Sequence, residues 1–213
     1  MPYRVKEVFH TVQGEGVNAG RGAVFLRFSG CNLWSGREAD RGRGPSCSRW
    51  CDTDFLGSDG PGGGVYPTAE SLAEACLQAL GVVPPSLLVL TGGEPLLQAN
   101  APLTAELRHR GFELVVETNG TLPVPPALGI GHVCVSPKAG TRLRQTAGTE
   151  LKLVWPQEGL SLEVFEPLPF RHFFLQPLDG PRRAEHAALC IDMVKRRPRW
   201  RLSVQTHKFL GIP

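Results

Sequence analysis

Apolar residues along the chain fall into short runs separated by polar breaks rich in Gly and Pro. The segment Ala23–Ser29 reads as a strand, and Leu87–Leu90 as a short, fully apolar one. Between them Thr68 stands at an N-cap position, with Leu72, Cys76, Leu77 and Leu80 behind it at helical spacing. A second helix is predicted from about Leu96 to Arg110, closed by Gly111 as a C-terminal cap. Further strands are predicted near Phe112–Val116, His132–Val135, Leu151–Trp155 and His172–Leu175. A helix over about Arg183–Arg196 and a last strand over Trp200–Val204 complete the pattern. Apolar strands buried on both faces and separated by helices predict a parallel α/β sheet or an open barrel. The richest loop signals lie at 35–49 and 57–65. With no internal repeat and no linker, one domain over 1–213 is expected.

The segments at the strand ends are more informative than the strands themselves. Leu87–Leu90 leads into Thr91-Gly92-Gly93-Glu94-Pro95, and Phe112–Val116 into Glu117-Thr118-Asn119-Gly120. Three later strands lead into Ser136-Pro137-Lys138, Gln176-Pro177-Leu178-Asp179 and Gln205-Thr206-His207-Lys208. Parallel α/β folds bind ligands at the carboxyl ends of their strands. An active site is therefore expected along one rim.

Six cysteines are present. Cys76, Cys134 and Cys190 sit inside apolar patterns and are expected in the core. Cys31, Cys47 and Cys51 lie in a polar stretch, where an apolar filler has no place. Thiolates suit iron–sulfur clusters, zinc or copper. Three of them hold three corners of a cubane cluster and leave the fourth iron open to a ligand. The radical S-adenosylmethionine superfamily works in this way, and its usual motif has three and then two residues between cysteines. Here the gaps are fifteen, Asn32 to Ser46, and three, Ser48 to Trp50. A structural zinc site completed by a histidine such as His10 is the alternative for the cysteines alone. Two features favour the cluster. Trp50 precedes Cys51 in the place where the superfamily sets an aromatic residue beside adenine, and Gly92-Gly93-Glu94 resembles its strand-end motif. In that motif the glycines permit close backbone approach, and the carboxylate can accept from the methionine ammonium.

Composition narrows the class without changing it. Apolar residues make up 41% and charged residues 20%, as in ordinary globular proteins. A net charge of +3 is too small to argue for nucleic acid or an anionic membrane as partner. The first residues, with Arg4, Lys6, Glu7, Glu15 and Arg21, show no signal-peptide pattern. No stretch approaches the roughly 20 apolar residues of a membrane span. A cytoplasmic protein is expected.

Taken together, the motifs resemble the 7-carboxy-7-deazaguanine synthases of queuosine biosynthesis nearly end to end. The resemblance rests on Val12–Gly16, Arg27–Trp34, Cys51–Phe55, Thr91–Pro95, Glu117–Gly120, Ser136–Lys138, Gln176–Asp179 and His207-Lys208 with the run to Pro213. It implies a shortened, modified radical SAM partial (β/α) barrel with mostly parallel strands, in a homodimer. The reaction implied is ring contraction of 6-carboxy-5,6,7,8-tetrahydropterin to 7-carboxy-7-deazaguanine with release of ammonia. A [4Fe-4S] cluster, S-adenosylmethionine used catalytically, and Mg²⁺ are the cofactors implied, with flavodoxin or a similar protein as electron donor.

The same resemblance implies residue roles. Cys31, Cys47 and Cys51 hold the cluster, and Thr53 is the Mg²⁺ ligand. Val12, Gln13, Gly14, Arg27, Thr91 and Pro213, the last through its carboxylate, contact substrate. Glu15 accepts from the pterin N–H edge, and His207 is a proton carrier or substrate contact. Trp50, Cys51, Asp52, Gly93 and Glu94 contact S-adenosylmethionine, as do Glu117, Ser136, Pro137 and Lys138. So do Gln176, Pro177, Leu178 and Asp179. Taken singly, each is an ordinary turn, cap or surface residue, and only the ordered set raises them. The insert Asn32–Ser46 reads as a solvated loop. Replacing a helix, covering the cluster, or docking the electron donor through Arg37, Arg41 and Arg43 are further tasks open to it. The extra residue of the second gap is placed at Ser48 or Arg49. Two competing functions stay open: an activase installing a glycyl radical on a partner enzyme, and a zinc-stabilised binding module.

Overall fold

The computed structural model describes residues 2–213. Its centre is a nine-stranded sheet. The strands are β1 (Tyr3–Val12), β2 (Gly22–Phe28), β3 (Gly64–Tyr66), β4 (Leu87–Gly92) and β5 (Glu113–Thr118), then β6 (His132–Val135), β7 (Gly148–Trp155), β8 (Phe170–Pro177) and β9 (Trp200–Leu202). Their order across the sheet is β3-β1-β2-β4-β5-β6-β7-β8-β9. β1 is antiparallel to β2 and β3, and every pairing from β2 to β9 is parallel. The sheet does not close. From β4 on, each strand lies beside its successor, so the crossovers all step one way. Every carboxyl end from β2 to β9 meets the same rim, and that of the antiparallel β1 meets the other.

Three helices cover one face: α1 (Ala69–Leu80), α2 (Ala101–His109) and α3 (Arg183–Arg196). A short α4 (Thr206–Leu210) closes the rim. Thr68 caps α1 as expected, accepting from the Ser71 amide in a reciprocal capping box. The helix expected over Leu96–Arg110 is instead two pieces. A 3₁₀ turn covers Pro95–Leu97, and α2 starts afresh behind Asn100, whose side chain accepts from the Leu103 amide. Pro102 in its first turn has no N–H to donate, so a new helix start costs nothing there. Gly111 lies just beyond the helix end at φ +93°. The last strand is shorter than expected, ending at Leu202.

Alternation along the strands divides the sheet into two chemical faces. Val24, Leu26 and Phe28 of β2, Leu88 and Leu90 of β4, and Leu114 and Val116 of β5 pack with α1 and α2 in the larger core. Val135, Leu151, Leu153, Phe173 and Leu175 continue that face to Cys190 and Trp200. Ala23, Leu87, Val89 and Val115 turn the other way into a small separate cluster. The same register carries Arg27, Thr91, Glu117, Cys134, Lys152 and Gln176 onto that second, concave face, where all six line a cavity. Cys76, Cys134 and Cys190 are fully buried, as their apolar surroundings predict.

Truncating a residue of the helix-facing core tests this division. Leu88→Ala is expected to cost about 2–5 kcal/mol in denaturant unfolding of the metal-free protein, against near zero for fully exposed Val82→Ala.

Candidate active site

The cavity on the concave face has a volume of about 470 Å³ and runs from the cysteine loop to the C-terminal segment. That falls within the usual size of small-molecule sites. Cys31, Cys47 and Cys51 line one end of it, and all three are free of disulfides.

The cysteine loop is held against β4 by glycine. Beyond β2 the chain turns at Gly30, φ +91°, and the Gly30 carbonyl accepts from the Glu94 amide at 3.0 Å. A Cβ on Gly93 would lie 2.3 Å from that carbonyl oxygen and 2.6 Å from Cys31 Cβ. Cys47 sits in a 3₁₀ turn over Ser46–Arg49, and the Cys51 amide donates to the Cys47 carbonyl at 2.7 Å. Three intervening residues thus make one helical turn, which puts both thiols on one side. The extra residue is absorbed in that turn. Burial raises the Cys31 thiol pKa and pushes Cys47 up to about 11. Lys138, itself depressed by burial, lies beside Cys47 and Cys51 and over the Trp50 ring at 5.7 Å.

The insert remains a largely solvated loop, exposed at Asn32, Ser35, Arg37–Ala39 and Arg41–Gly44, and is anchored to the cysteine loop by a few contacts. Trp34 is buried edge-on against Phe55 at 5.8 Å, and Arg41 stacks on its other side at 5.1 Å. Ser46 ties the end of the insert to the Ala139 carbonyl and to Gln157. Arg37 and Arg43 remain exposed.

The middle of the cavity is a polar network. Glu15 accepts from Lys152 at 2.5 Å and from Gln176 and Gln205 at 3.0 Å each. Burial alone raises the Glu15 pKa, but Lys152, Gln205 and His207 more than reverse it and bring it down to about 2. Gln13 donates to Glu117 at 3.0 Å and accepts from the Glu15 amide at 3.0 Å. Arg27 is paired with Glu7 at 2.7 Å. His207 packs its imidazole against Gly14, where a Cβ would meet Nδ1 at 2.3 Å. Thr206 donates twice to the Gly14 carbonyl, and the Pro213 oxygen accepts from Thr11. Lys208 spans the rim between Asp52 and Asp179. Thr53 lies between two occupied acids, because Asp54 is bound by Lys6 at 2.6 Å.

Of the residues expected from sequence, all but two line this one space. Glu94 is the clearest exception. It is fully buried, and its carboxylate is taken up by the Thr118 hydroxyl and the amides of Leu96 and Asn119. It braces two strand ends and has no oxygen facing the cavity. Pro137 is the second, buried behind the rim with its carbonyl accepting from Gln157. His10 is exposed and does not line the cavity, so it cannot complete a zinc site with the cysteines. Among the described residues no three His, Cys, Asp or Glu side chains converge as ligands of a single ion would. Sequence reasoning missed Lys6, Glu7 and Lys152, and it placed Gln205 and Lys208 on the rim without giving either a role. Lys152 carried a signal in Glu150-Leu151-Lys152-Leu153, where polar and apolar residues alternate within an otherwise apolar strand.

Three thiols at the carboxyl rim of a one-way-wound parallel sheet, beside a Gly-Gly strand end, define a radical S-adenosylmethionine enzyme with a [4Fe-4S] cluster. Relatives narrow the class. The chain is 54% identical over 213 residues to the 7-carboxy-7-deazaguanine synthase of Bradyrhizobium diazoefficiens. It is 52% identical over 214 residues to that of Bordetella pertussis, and both matches cover all of each chain. The crystal structure of QueE from Escherichia coli superposes with a TM-score of 0.68 at 28% identity, covering 96% of this chain and 94% of that one. No protein-family model matches the chain. The chain belongs to the 7-carboxy-7-deazaguanine synthase family.

The glycine contact gives a direct test. Gly93→Ala is expected to force β4 and the cysteine loop apart and to leave the protein folded but deficient in iron and sulfide after anaerobic reconstitution. Wild-type iron content would refute the role given to this contact.

Proposed function

We propose that the chain converts 6-carboxy-5,6,7,8-tetrahydropterin to 7-carboxy-7-deazaguanine with release of ammonia, in the queuosine branch of tRNA modification. One observation carries the reading: the cluster thiols and the Gln13–Glu15, Arg27 and His207 constellation line a single continuous cavity. A substrate held at the second group lies within reach of chemistry started at the first. A glycyl-radical activase would instead need its open iron to face a macromolecule.

When bound, the cluster and S-adenosylmethionine together supply the carbon radical that abstracts hydrogen from substrate. The residues of the chain do the rest. Trp50, Asp52, Gly93, Glu117, Ser136, Lys138 and the segment Gln176–Asp179 hold S-adenosylmethionine. Glu15, ionised across the physiological range, accepts from the N–H edge of the pterin. Arg27, whose Nε is bound to Glu7, turns its two Nη groups to bidentate contact with the substrate carboxylate. Val12, Gln13, Gly14, Thr91 and Pro213 complete the substrate wall, and His207 moves a proton from its place against Gly14.

Mg²⁺ belongs to the same reading. With Asp52 and Asp54 engaged by lysines, Thr53 offers a neutral hydroxyl to a cation whose other ligands are substrate oxygens and water, as magnesium prefers. The electron donor is a flavodoxin-like acidic protein approaching the exposed Arg37 and Arg43, with Arg41 fixed between Trp34 and Glu38. A homodimer is supported by exposed Phe209 and Leu210 on α4. A reducing cytoplasm is supported by six free cysteines, and no helix among the described residues is long and apolar enough to cross a membrane.

Anaerobic assay with the pterin, with and without Mg²⁺, tests the reading. The expected outcome is 7-carboxy-7-deazaguanine and ammonia, at a rate that falls when Mg²⁺ is withheld. Cleavage of S-adenosylmethionine without ring-contracted product would overturn the substrate assignment. Extending the chain beyond Pro213 is expected to raise KM or abolish turnover, while an N-terminal extension leaves both constants unchanged; equal kinetics would remove Pro213 from the substrate wall.

A further inference from the structure

The concave face gathers three carboxylates, Glu15, Glu117 and Glu150, around one enclosed lysine. Lys152 is 4% exposed and projects from the middle of β7 instead of the rim, where the motif residues stand. Its Nζ donates to Glu15 at 2.5 Å and lies 3.3 Å from Glu117 Oε2. The far oxygen of Glu117 accepts from Gln13, whose own oxygen accepts from the Glu15 amide. Glu15, Lys152, Glu117 and Gln13 therefore close a ring of polar contacts on the floor of the cavity. Two further amides, Gln176 and Gln205, fix the other oxygen of Glu15.

We propose that Lys152 is a positioning residue: it clamps the substrate-side carboxylate of Glu15 and the cofactor-side carboxylate of Glu117 into one ring, so that the two bound molecules meet in fixed register. The inference rests on the sides that the proposed function assigns to Glu15 and Glu117. A lysine is suited to the task because one ammonium carries three donors and can serve two carboxylates that approach from different strands.

The surrounding charges make Lys152 the cation that matters most to Glu15. Facing it are Glu15 from the segment after β1, Glu117 from β5, Cys134 from β6 and Glu150 from β7 itself. Lys138 and His207 look on from the rim, and His132 is turned toward Glu150. Burial opposes charge on Glu15, and Lys152 is the largest influence acting against it. Remove that cation and the Glu15 carboxyl must move up, toward the range where buried carboxyls protonate near neutrality. A protonated Glu15 no longer offers a full carboxylate to a pterin N–H. This fixes the sign of the pH dependence. In the wild type Glu15, its pKa held down to about 2, contributes no pH dependence to binding across neutral pH. Without Lys152, affinity falls as pH falls.

The test compares wild type, Lys152→Met and Lys152→Arg, each reconstituted anaerobically, in titrations with 6-carboxytetrahydropterin from about pH 6 to 9. Lys152→Met is expected to bind at least about tenfold more weakly at the acid end and to recover toward the alkaline end. KM moves more than kcat, most at the acid end, and Lys152→Arg keeps the wild-type profile. Infrared spectra of the protein without cluster or ligand give a second readout. Lys152→Met shows a protonated-carboxyl band at about pH 6 that vanishes when Glu15→Gln is added. A wild-type profile and no such band in Lys152→Met overturn the proposal. Should Lys152→Met fail to fold, Glu15→Gln is compared with Glu15→Gln/Lys152→Met for S-adenosylmethionine binding. Weaker binding in the double variant supports the clamp, and equal binding overturns it. If wild type does not bind the pterin while the infrared band appears in Lys152→Met, the functional reading falls and the clamp on Glu15 stands.

Discussion

Every strand from β2 to β9 runs the same way, and along each of them alternate side chains face opposite sides of the sheet. Those two facts set the rest. Odd-numbered positions of β2, β4 and β5 and even-numbered positions of β6, β7 and β8 turn to the concave face, while their neighbours are sealed under helices. A charged residue in the middle of one of these strands belongs on the concave face, because the apolar helix-covered core offers it no partner and unpaired burial costs several kcal/mol. The one-way winding then stacks these polar positions side by side, and the antiparallel strand β1 closes the end of the row with Lys6 and Glu7.

How far this was legible in the sequence depends on where a residue sits. Motifs at strand ends stand out because Gly, Pro and polar residues break an apolar run, and those segments were placed correctly along the rim. The strand β1 was not recognised, because Tyr3–Val12 mixes charge and apolarity and a bulge between Val5 and Glu7 interrupts its alternation. The three-residue β3 and five-residue α4 are too short to carry a period. Glu94 differs from the other rim residues for a separate reason. Its position in the Gly-Gly-Glu segment was right, but whether a carboxylate faces a ligand or braces a neighbouring strand is decided by Thr118 and Asn119, residues 24 and 25 positions away. Spacing along the chain holds no record of that.

Charge inside the cavity is arranged by segment. Near the cysteines a lysine depressed by burial, Lys138, faces thiols raised by burial, so each group is poised to gain from the other's ionisation when metal takes the thiolates. Further along, Lys152 and Glu15 are already ionised against each other. One end of the cavity is thus set to change its protonation on loading. The other is set to keep it.

The walls near Gly14 have a consequence for how the cavity is held together. Thr206 bonds to Gly14 across 192 positions and Lys208 to Asp52 across 156. Contacts so distant in sequence close long loops and carry a larger closure entropy than local hairpins and crossovers do. The cysteine loop, by contrast, is complete within residues 30–55 and docks on β4 nearby. Ser46 also reaches Ala139 and Gln157, so the loop is fastened on both sides of β4. The thiol end of the cavity thus depends on one short segment of chain, and the substrate wall on the meeting of its two ends.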